Sequence, residues 1–397
     1  MTYKTYNIEL QMTDNTRNYW IALLKQTAEA YNRCAEYAVQ HNVPLDVKTF
    51  HNNMYDIIRK NYPLIPAQGV IKTYKEVLSA LRSIKRNKHE NAKTPYRSNI
   101  GLHLDKRMYS NLSSEGIKIA TNTKNQREHC TFVMYDKAIE MFKTYPAADP
   151  LIFLRNGRLF LSVPFEIQEP PVTGESSIGV DLGVKRLFVT SDGIAFKDAK
   201  YLEKRRRIRY LKRKLKTKNT RSSKRLLSKL SRRERNLCKD MQLRAANALI
   251  KSTDSSILVL EDLKKIKQNT SVNKDGFKRK RHNSMLSQVP FAGFKDILTH
   301  KAQLVGKRVE TVSPIWTSQT DSRTNKRDGI RQGCRYICKD GFVLDADWNA
   351  AVNIALRANH PVSKELPIDG KLKFITGRVL SVTHTPRTNR PAASPLL

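Results

Sequence analysis

The stretch IGVDLGVKRLFVTSDG, residues 178 to 193, decides how the second half of this chain folds. Its first apolar run leads to Asp181, and a second apolar run, residues 187 to 190, leads to a turn that ends at Gly193. Two apolar, strand-like runs joined by glycine-containing turns predict a β-hairpin. A carboxylate among apolar strand residues is costly to bury unless a metal ion or another partner compensates its charge. We therefore take Asp181 as the first candidate ligand of a metal site.

Two further carboxylates occupy comparable positions in the sequence. Glu261 directly follows the strand-like run 256–260. Asp347 precedes the segment 348–356, whose apolar residues have helical spacing, so we expect it near a helix start, where the helix dipole favours a negative charge. Any one of these acids alone is more simply explained as a capping or loop residue. The ordered combination of a strand aspartate, a strand glutamate and an aspartate before a helix is much harder to obtain by chance.

Three motifs in this order resemble the RuvC motifs of TnpB, a transposon-encoded RNA-guided nuclease related to the type V CRISPR effectors. They are DLG at 181–183, LEDL at 260–263 and DADWNAAVNI at 345–354. The stretch TSQT at 317–320 is similar to the one that precedes the zinc ribbon in that family. The resemblance is strongest over residues 176–356, weaker over the N-terminal part and absent from the tail.

The resemblance implies an α+β multidomain fold. Its N-terminal part would be a wedge β-barrel over residues 1–170 with a helical recognition insertion at about 14–90, and its C-terminal part an RNase H-like (RuvC) α/β domain. The expected order of the C-terminal part is a first nuclease segment at 171–312 with a basic helical arm at 201–250, a degenerate zinc-ribbon-like insertion at 313–342, the last motif and helix at 343–358, and a disordered tail at 359–397.

The composition indicates a polyanionic partner. The chain has 73 Lys and Arg against 36 Asp and Glu, a formal net charge of +37. Such an excess favours nucleic acid, because each neutralised phosphate releases counterions. We see no apolar run long enough to span a membrane and no signal-like N-terminus. The odd, scattered set of five cysteines is typical of reduced thiols, so we expect a cytoplasmic, nucleoid-associated protein without a membrane partner.

The basic arm is the densest charged region. Residues 201–235 contain 17 Lys or Arg and two acidic residues over a thin apolar stripe, which predicts two long helices broken near 218–220. The simple interpretation is a solvated charged face. The sharper one is a helical arm along an RNA–DNA heteroduplex, where basic side chains contact phosphates and read shape. A polar loop at 264–283 carries a second basic run and is either a lid near the site or a loop without a role. The candidate nucleic-acid-binding residues are Lys204, Arg205, Arg206, Arg207, Arg209, Lys212, Arg213, Lys278, Arg279 and Lys280.

The resemblance implies two-metal cleavage of a phosphodiester. Two Mg²⁺ ions, with Mn²⁺ as the alternative, would activate a water and stabilise the leaving oxygen, and magnesium takes oxygen ligands. The catalytic and metal-binding residues would be Asp181 on both ions, Glu261 on one and Asp347 on the other. Asp345 lies two residues before Asp347 and can share its side, so its exclusion rests on the family pattern. Asn349 either orients the site or caps the last helix, and we favour capping.

The zinc ribbon departs from the family pattern. Asp321 and Thr324 stand about where the first pair of cysteines would be, and the remaining Cys334 and Cys338 are spaced CxxxC where the family has CxxC. A structural zinc normally has four nitrogen or sulfur ligands. Two thiols without a nearby histidine cannot supply them. We therefore expect the ribbon to keep its fold without zinc, and only Cys334 and Cys338 are left as candidate zinc ligands.

The leading hypothesis is an RNA-guided DNA endonuclease. By resemblance it would use a guide RNA from the transposon end, read a short flanking DNA motif with its N-terminal domain and cut double-stranded target DNA as a monomer or weak dimer. One alternative is a small type V CRISPR effector with the same chemistry. Another is a nuclease-inactive, RNA-guided repressor. A basic structural RNA-binding protein would explain the charge but not three carboxylates in the RuvC order.

Overall fold

The computed structural model describes residues 2–86, 94–123, 126–183, 186–263, 291–358, 360 and 372–375. The chain divides into two compact units, Met1–Gln168 and Glu169–Leu397. The division falls just before the pair Pro170-Pro171, which breaks regular structure. Within the described ranges, no helix combines the length and apolar character that crossing a bilayer requires.

The N-terminal unit is built on a seven-stranded sheet. Its strands are β1 (Thr2–Gln11), β2 (Leu102–His103), β3 (Tyr109–Ser110), β4 (Ile117–Ala120), β5 (Arg127–Val133), β6 (Leu151–Arg155) and β7 (Arg158–Ile167). They lie in the order β2-β6-β7-β1-β5-β4-β3, and all neighbours are antiparallel. The two end strands do not pair with each other among the described residues. The described strands thus form a half-barrel where the sequence predicted a β-barrel.

The hairpin of β6 and β7 illustrates why this sheet forms. Asn156 and Gly157 connect the strands with φ angles of 52° and 76°. Two successive positive φ angles match the right-handed twist of the flanking strands, which is why Asn-Gly favours this turn. The pair Arg155↔Arg158 closes the ladder next to the turn. An Asn-Gly pair between the apolar runs 152–154 and 159–161 predicts such a hairpin from the sequence alone, and the strand pairing confirms it.

Three helices are inserted after β1, as the sequence predicted. They are α1 (Asp14–Gln40), α2 (Val47–Asn61) and α3 (Ala67–Arg86), and the side chains of Thr13 and Asp46 cap the first two. Their shared core contains Tyr31, Phe50 and Tyr74. A fourth helix, α4 (Asp136–Thr144), lies in a region where the sequence predicted only strands. This helix has nine residues, fewer than the window of about 11–18 residues over which helical periodicity is read from a sequence.

The C-terminal unit contains two sheets. Its strands are β8 (Ser177–Leu182), β9 (Phe188–Thr190), β10 (Ile194–Phe196), β11 (Ile257–Glu261), β12 (Arg308–Val312), β13 (Ile330–Gln332), β14 (Arg335–Ile337), β15 (Val343–Asp345) and β16 (Lys373–Ile375). The larger sheet has the order β12-β11-β8-β9-β10-β16, and the smaller one the order β13-β14-β15. The antiparallel pairing of β8 with β9 confirms the hairpin predicted from the opening motif.

Among the described residues, four helices accompany these sheets. They are α5 (Ala199–Lys218), α6 (Arg221–Ser252), α7 (Phe291–Gln303) and α8 (Ala346–Leu356). The predicted break in the basic arm is confirmed, because Asn219 has a left-handed backbone and the side chain of Thr220 caps α6. Helices α6 and α7 pack on one face of the larger sheet, where Leu249 and Phe294 share a core with Phe188.

The tail holds one strand that the sequence did not predict. Strand β16 pairs in parallel with β10, from Ile194↔Lys373 to Phe196↔Ile375. Ile375 is buried in the core of the larger sheet. A disordered tail over 359–397 is therefore wrong for residues 373–375, whose three-residue run is too short to recognise from sequence. Residues 361–371 and 376–397 lie outside the described residues.

Helix α8 approaches the opposite face of β8 very closely. A Cβ atom on Gly179 would lie 2.0 Å from the carbonyl oxygen of Ala351 and 2.5 Å from the amide nitrogen of Ala355. Both neighbours are backbone atoms of a helix, which cannot move by a change of rotamer. The absence of a side chain at Gly179 therefore fixes the distance between α8 and the sheet.

Replacing Gly179 by alanine should lower the free energy of unfolding by about 1–3 kcal/mol or more, the range for overpacking a close contact. Gly293→Ala in α7 is the matched control. Its added methyl would meet only the side-chain amide of Gln242, at 3.0 Å, and alanine favours the helix. Urea denaturation of both variants measures the difference. Equal stabilities would contradict the close approach of α8.

Candidate active site

The alternation of side chains along β8 and β11 places Asp181 and Glu261 on the same face of the larger sheet. The two strands are parallel neighbours with Val180 opposite Leu260, so Asp181 and Glu261 follow at adjacent positions. Successive strand residues face opposite sides of a sheet. Val180 and Leu260 pack in the core with α6 and α7. Asp181 and Glu261 therefore face the other side, where α8 lies.

Helix α8 supplies the third acid. Asp347 lies in its first turn, and the contact at Gly179 holds this helix against β8. Asp345 caps the helix, because its Oδ1 accepts hydrogen bonds from the amides of Asp347 and Trp348, both at 3.1 Å. The three acids predicted from the sequence thus come to one end of the β8, β11 and α8 group.

Burial and mutual repulsion dominate the electrostatics of this group. Loss of hydration raises the pKa of Asp181 well above its ordinary value, and the charges of Glu261 and Asp347 raise that pKa further. Loss of hydration also raises the pKa of Glu261, while a hydrogen bond from Thr317 lowers it. Two carboxyls with raised pKa values side by side disfavour full ionisation unless positive charge is added.

Two arginines bind Asp347. The Nε of Arg186 donates to Oδ2 of Asp347 at 2.9 Å, and its Nη2 donates to the same oxygen. The Nη1 of Arg186 donates to Oδ2 of Asp345 at 2.8 Å. From the other side, Nη2 of Arg331 donates to Oδ1 of Asp347 at 2.7 Å. Both oxygens of Asp347 are engaged by guanidinium groups, so a metal ion at this acid would compete with two positive charges.

The sequence analysis missed both arginines. Arg186 is 8% exposed, and a nearly buried guanidinium requires carboxylate partners. Its place five residues after Asp181 within the opening motif was the available signal. Arg331 lies on β13 of the smaller sheet, and no local pattern connects it with Asp347.

The TSQT segment orients Glu261. The hydroxyl of Thr317 donates to Oε1 of Glu261. The side-chain amide of Asn353 donates to the carbonyls of Thr317 and Thr320 at 2.9 and 2.7 Å, and that of Asn349 donates to Thr320 at 2.7 Å. Asn349 therefore binds a loop, and the expectation that it caps α8 is wrong because Asp345 does so. The signal was two asparagines four residues apart on an otherwise apolar helix.

No group of three or more His, Cys, Asp or Glu side chains converges on a single ion position in the described part of the chain. At the acid group, Asp347 directs its oxygens to the two arginines. The assignment of Asp181, Glu261 and Asp347 as metal ligands therefore stays a prediction.

Asp321, one of the two residues that stand where cysteines were expected, takes part in an ion-pair cluster of the ribbon-like insertion. The Nη2 of Arg323 lies 2.8 Å from Oδ2 of Asp340 and 3.2 Å from Oδ2 of Asp321. Arg323 thereby joins the loop after TSQT to the turn before β15. Asp321 is 1% exposed, so its charge needs this partner.

The two candidate zinc cysteines differ in environment. Cys334 is exposed and Cys338 is buried. Burial raises the pKa of Cys338 to about 11, and its hydrogen bond with Asp321 contributes. A thiol with this pKa is protonated at neutral pH and donates to the carboxylate, whereas a zinc ligand must be a thiolate. Zinc binding by this pair stays untested.

Part of the positive charge of α5 is neutralised by ion pairs with α6. Glu234 on α6 accepts from Arg205, Arg209 and Lys212 on α5, at 3.4, 3.3 and 2.8 Å. Arg205 is buried, so it joins the two helices and cannot lie on an outer surface, contrary to its assignment as a phosphate contact. The remaining assigned residues on α5 are exposed, namely Lys204, Arg206, Arg207 and Arg213. Lys278, Arg279 and Lys280 lie outside the described residues.

Comparison with known proteins gives two family matches, which lie almost entirely in the C-terminal unit. Residues 161–271 match the family described as "Probable transposase" (OrfB_IS605). Residues 291–354 match the family described as "Cas12f1-like, TNB domain". The first range contains Asp181 and Glu261, and the second contains Asp347.

One curated relative and one solved structure extend the comparison. "Putative RNA-guided DNA endonuclease InsQ" of Escherichia coli (strain K12) is 27% identical over 225 residues, which are 52% of this chain and 55% of the relative. The match thus spans about half the length of each protein. The cryo-EM structure of a Cas12f1-sgRNA-target DNA complex has a TM-score of 0.58 at 15% identity and covers 87% of this chain and 83% of that chain.

At this identity the likeness to that structure concerns the fold alone. The chain has a mixed α+β fold similar to that of Cas12f1-like effectors. The two family matches and the similarity to InsQ support the resemblance to the TnpB family that the three motifs predict.

Asp181→Asn should stabilise the protein at neutral pH in buffer without divalent ions. Because the folded state raises the pKa of Asp181 above its ordinary 3.8, folding favours the protonated carboxyl. This contribution is complete below the unfolded pKa and is lost as the pH rises through the raised folded pKa. Melting temperatures in EDTA should therefore fall more steeply with rising pH for the wild type than for the variant.

The neighbouring Asp262→Asn is the control for that series, because Asp262 is exposed on the same strand end. It should leave the pH dependence unchanged. If the wild type and Asp181→Asn lose stability in parallel, the repulsion among the three acids is absent from the folded protein.

Arg323→Ala should loosen the ribbon-like insertion. Removing the guanidinium leaves the buried Asp321 without its cation. Hydrogen exchange at residues 330–345 should become faster, while β8 and β11 keep their protection. Arg335→Ala, an exposed arginine on β14, is the matched control. A zinc chelator that alone produced the same loosening in the wild type would contradict the assignment of this role to Arg323.

Proposed function

We propose that this chain is an RNA-guided DNA endonuclease that cuts by RuvC-type, two-metal chemistry at Asp181, Glu261 and Asp347. The observation that carries the proposal is the convergence of these acids from β8, β11 and α8, with raised pKa values at Asp181 and Glu261. Acids that repel one another in a half-buried site are typical of functional sites. The RNase H-like assignment of the larger sheet is part of the same proposal.

The donor set fits divalent cations. Carboxylate oxygens are the ligands that Mg²⁺ prefers, and bound positive charge would relieve the repulsion that raises the pKa of Asp181. We propose two Mg²⁺ ions, with Mn²⁺ as the alternative, which Asp181, Glu261 and Asp347 would hold. Such ions stabilise charge on the phosphodiester oxygens and activate a water for in-line attack.

The residues around the acids have separate roles. Thr317 fixes the orientation of Glu261 through its hydroxyl, so Glu261 presents its second oxygen outward. Arg331 is only partly buried, and it can exchange Asp347 for a phosphate oxygen when the site is loaded. Arg186, which also binds Asp345, keeps the start of α8 in place. The ribbon is proposed to keep its fold without zinc, through Arg323.

The proposed partners are a guide RNA from the transposon end and double-stranded target DNA. The exposed Lys204, Arg206, Arg207 and Arg213 on α5 would contact phosphates of the heteroduplex. Recognition of a short flanking motif is assigned to the N-terminal unit. A monomer or weak dimer is proposed, and a small type V CRISPR effector remains the alternative with the same chemistry.

One observation favours a second function. Both oxygens of Asp347 are engaged by arginines, which would suit a nuclease-inactive, RNA-guided repressor if these ion pairs never open. The acids Asp181 and Glu261 favour the endonuclease, because an inactive site has no need for two repelling carboxyls.

The test is guided cleavage by the complete chain. The protein is expressed with its flanking DNA, its bound RNA is sequenced, and the complex is incubated with Mg²⁺ and a plasmid library with a randomised flank. Asp181→Asn and Glu261→Gln should each slow cleavage by about 10²–10⁴-fold, the effect of losing several kcal/mol of metal-based stabilisation. Asp262→Asn should cleave like the wild type.

The results separate the two functions. Tight binding of a guided target without cutting by the wild type would support the repressor. Heterogeneous RNA and no targeted binding would contradict both functions and leave a general nucleic-acid binder.

A further inference from the structure

Trp316 stands apart from the other tryptophans of the chain. Of the three, Trp20 and Trp348 are buried, whereas Trp316 is 49% exposed. The neighbouring Ile315 is 60% exposed. A large exposed aromatic side chain is unfavourable in water and needs an explanation.

The backbone of Trp316 is held in an unusual conformation. Its φ angle is 64°, which is rare for a bulky residue. Its carbonyl oxygen accepts hydrogen bonds from the amides of Gln319 and Thr320 at 3.0 and 3.1 Å, and from the hydroxyl of Thr320 at 2.9 Å. On its other side, Arg357 donates to the carbonyls of Ser313 and Ile315. The surrounding bonds thus fix a strained residue, as is common at functional sites.

The position of the ring is the second observation. The next residue is Thr317, which donates to the candidate catalytic Glu261, so Trp316 is the chain neighbour of a residue that contacts the acid group. The guanidinium carbon of Arg327 lies 4.7 Å from the centre of the ring. An exposed aromatic surface with a cation against it is the combination that binds a base and its phosphate.

We propose that Trp316 and Arg327 form a stacking platform for a base of single-stranded nucleic acid at the mouth of the acid site. The proposal rests on the proposed function and names a further contact for its substrate. Trp316 stacks on one base, Arg327 contacts an adjacent phosphate, and the strand is thereby positioned for Glu261 and Asp181. Nucleic acid is the favoured occupant because the chain carries a net charge of +37 and the ring already has a cationic neighbour.

Intrinsic fluorescence provides a direct test. The experiment uses the complete chain with Asp181→Asn, so that no cleavage occurs, and titrates it with a single-stranded DNA oligonucleotide, an RNA of the same sequence and the DNA duplex. A salt concentration of about 0.3 M suppresses purely electrostatic binding. Stacking should quench the emission of Trp316, while the buried Trp20 and Trp348 give a constant background.

Three variants separate stacking from structure. Trp316→Ala should weaken single-strand binding by about 5- to 100-fold, the range for losing one stacked base. Trp316→Phe should keep the affinity within about 2-fold and abolish the quenching, because phenylalanine stacks but does not emit in the same range. Ile315→Ala removes an exposed apolar neighbour that cannot stack, and it should change neither quantity.

The outcomes are distinct. Quenching by DNA alone or by RNA alone supports the platform and identifies the bound strand. The platform would be overturned if the fluorescence stayed unchanged at saturation and the wild type and Trp316→Ala bound with equal affinity. It would also be overturned if the protein self-associated through Trp316, so that Trp316→Ala removed the self-association. If the complex cuts no DNA yet the quenching persists, the endonuclease fails and the platform stands. If Asp181→Asn abolishes cleavage while Trp316→Ala changes neither binding nor cleavage, the endonuclease stands and only the platform fails.

Discussion

The close contact between α8 and β8 is the constraint on which the rest of the site depends. At Gly179 a helix backbone lies where any side chain would be, so α8 lies closer to the sheet than side-chain packing would allow. This distance puts the first turn of α8, and with it Asp347, next to the ends of β8 and β11. The same approach lets Asn349 and Asn353 reach the TSQT carbonyls, which in turn orient Thr317 toward Glu261. One glycine two residues before the first acid therefore determines the relative positions of all three.

The three carboxylates repel one another, and neighbouring residues compensate their negative charge. Asp181 and Glu261 are left with raised pKa values, whereas Asp347 receives two guanidinium groups. The compensation is therefore uneven: the strand acids are available to an added cation, and the helix acid is already neutralised. In the proposed function a divalent ion would compete with arginine at Asp347 and not at the two strand acids. Arg331, with its larger exposure, is the partner better able to move.

The sequence predicted those features that have a local pattern. The hairpin at Asn156-Gly157, the strands before Asp181 and Glu261, and the break at Asn219 follow from turn chemistry and periodicity. Features that depend on distant partners were missed or wrong. Arg205 has the sequence context of a phosphate contact but meets Glu234 across the helix pair, and Asn349 has that of a cap but meets a loop. The edges of a sheet are also non-local, so neither the open half-barrel nor strand β16 was predictable from composition.

The ribbon-like insertion and the segment leading into it both contact the acid group. Arg331 on β13 donates to Asp347, and Thr317 in the leading segment donates to Glu261. In a zinc ribbon the metal would tie its two loops together with several kcal/mol of binding energy. Here Arg323 joins Asp321 to Asp340, and half of that arrangement is solvent-exposed, so it contributes less and is screened by salt. An insertion held in this way is easier to displace than a metal-bound one. Because the same insertion holds Arg331 against Asp347, a weaker tie would make it easier for the nucleic acid of the proposed function to displace Arg331 from this acid.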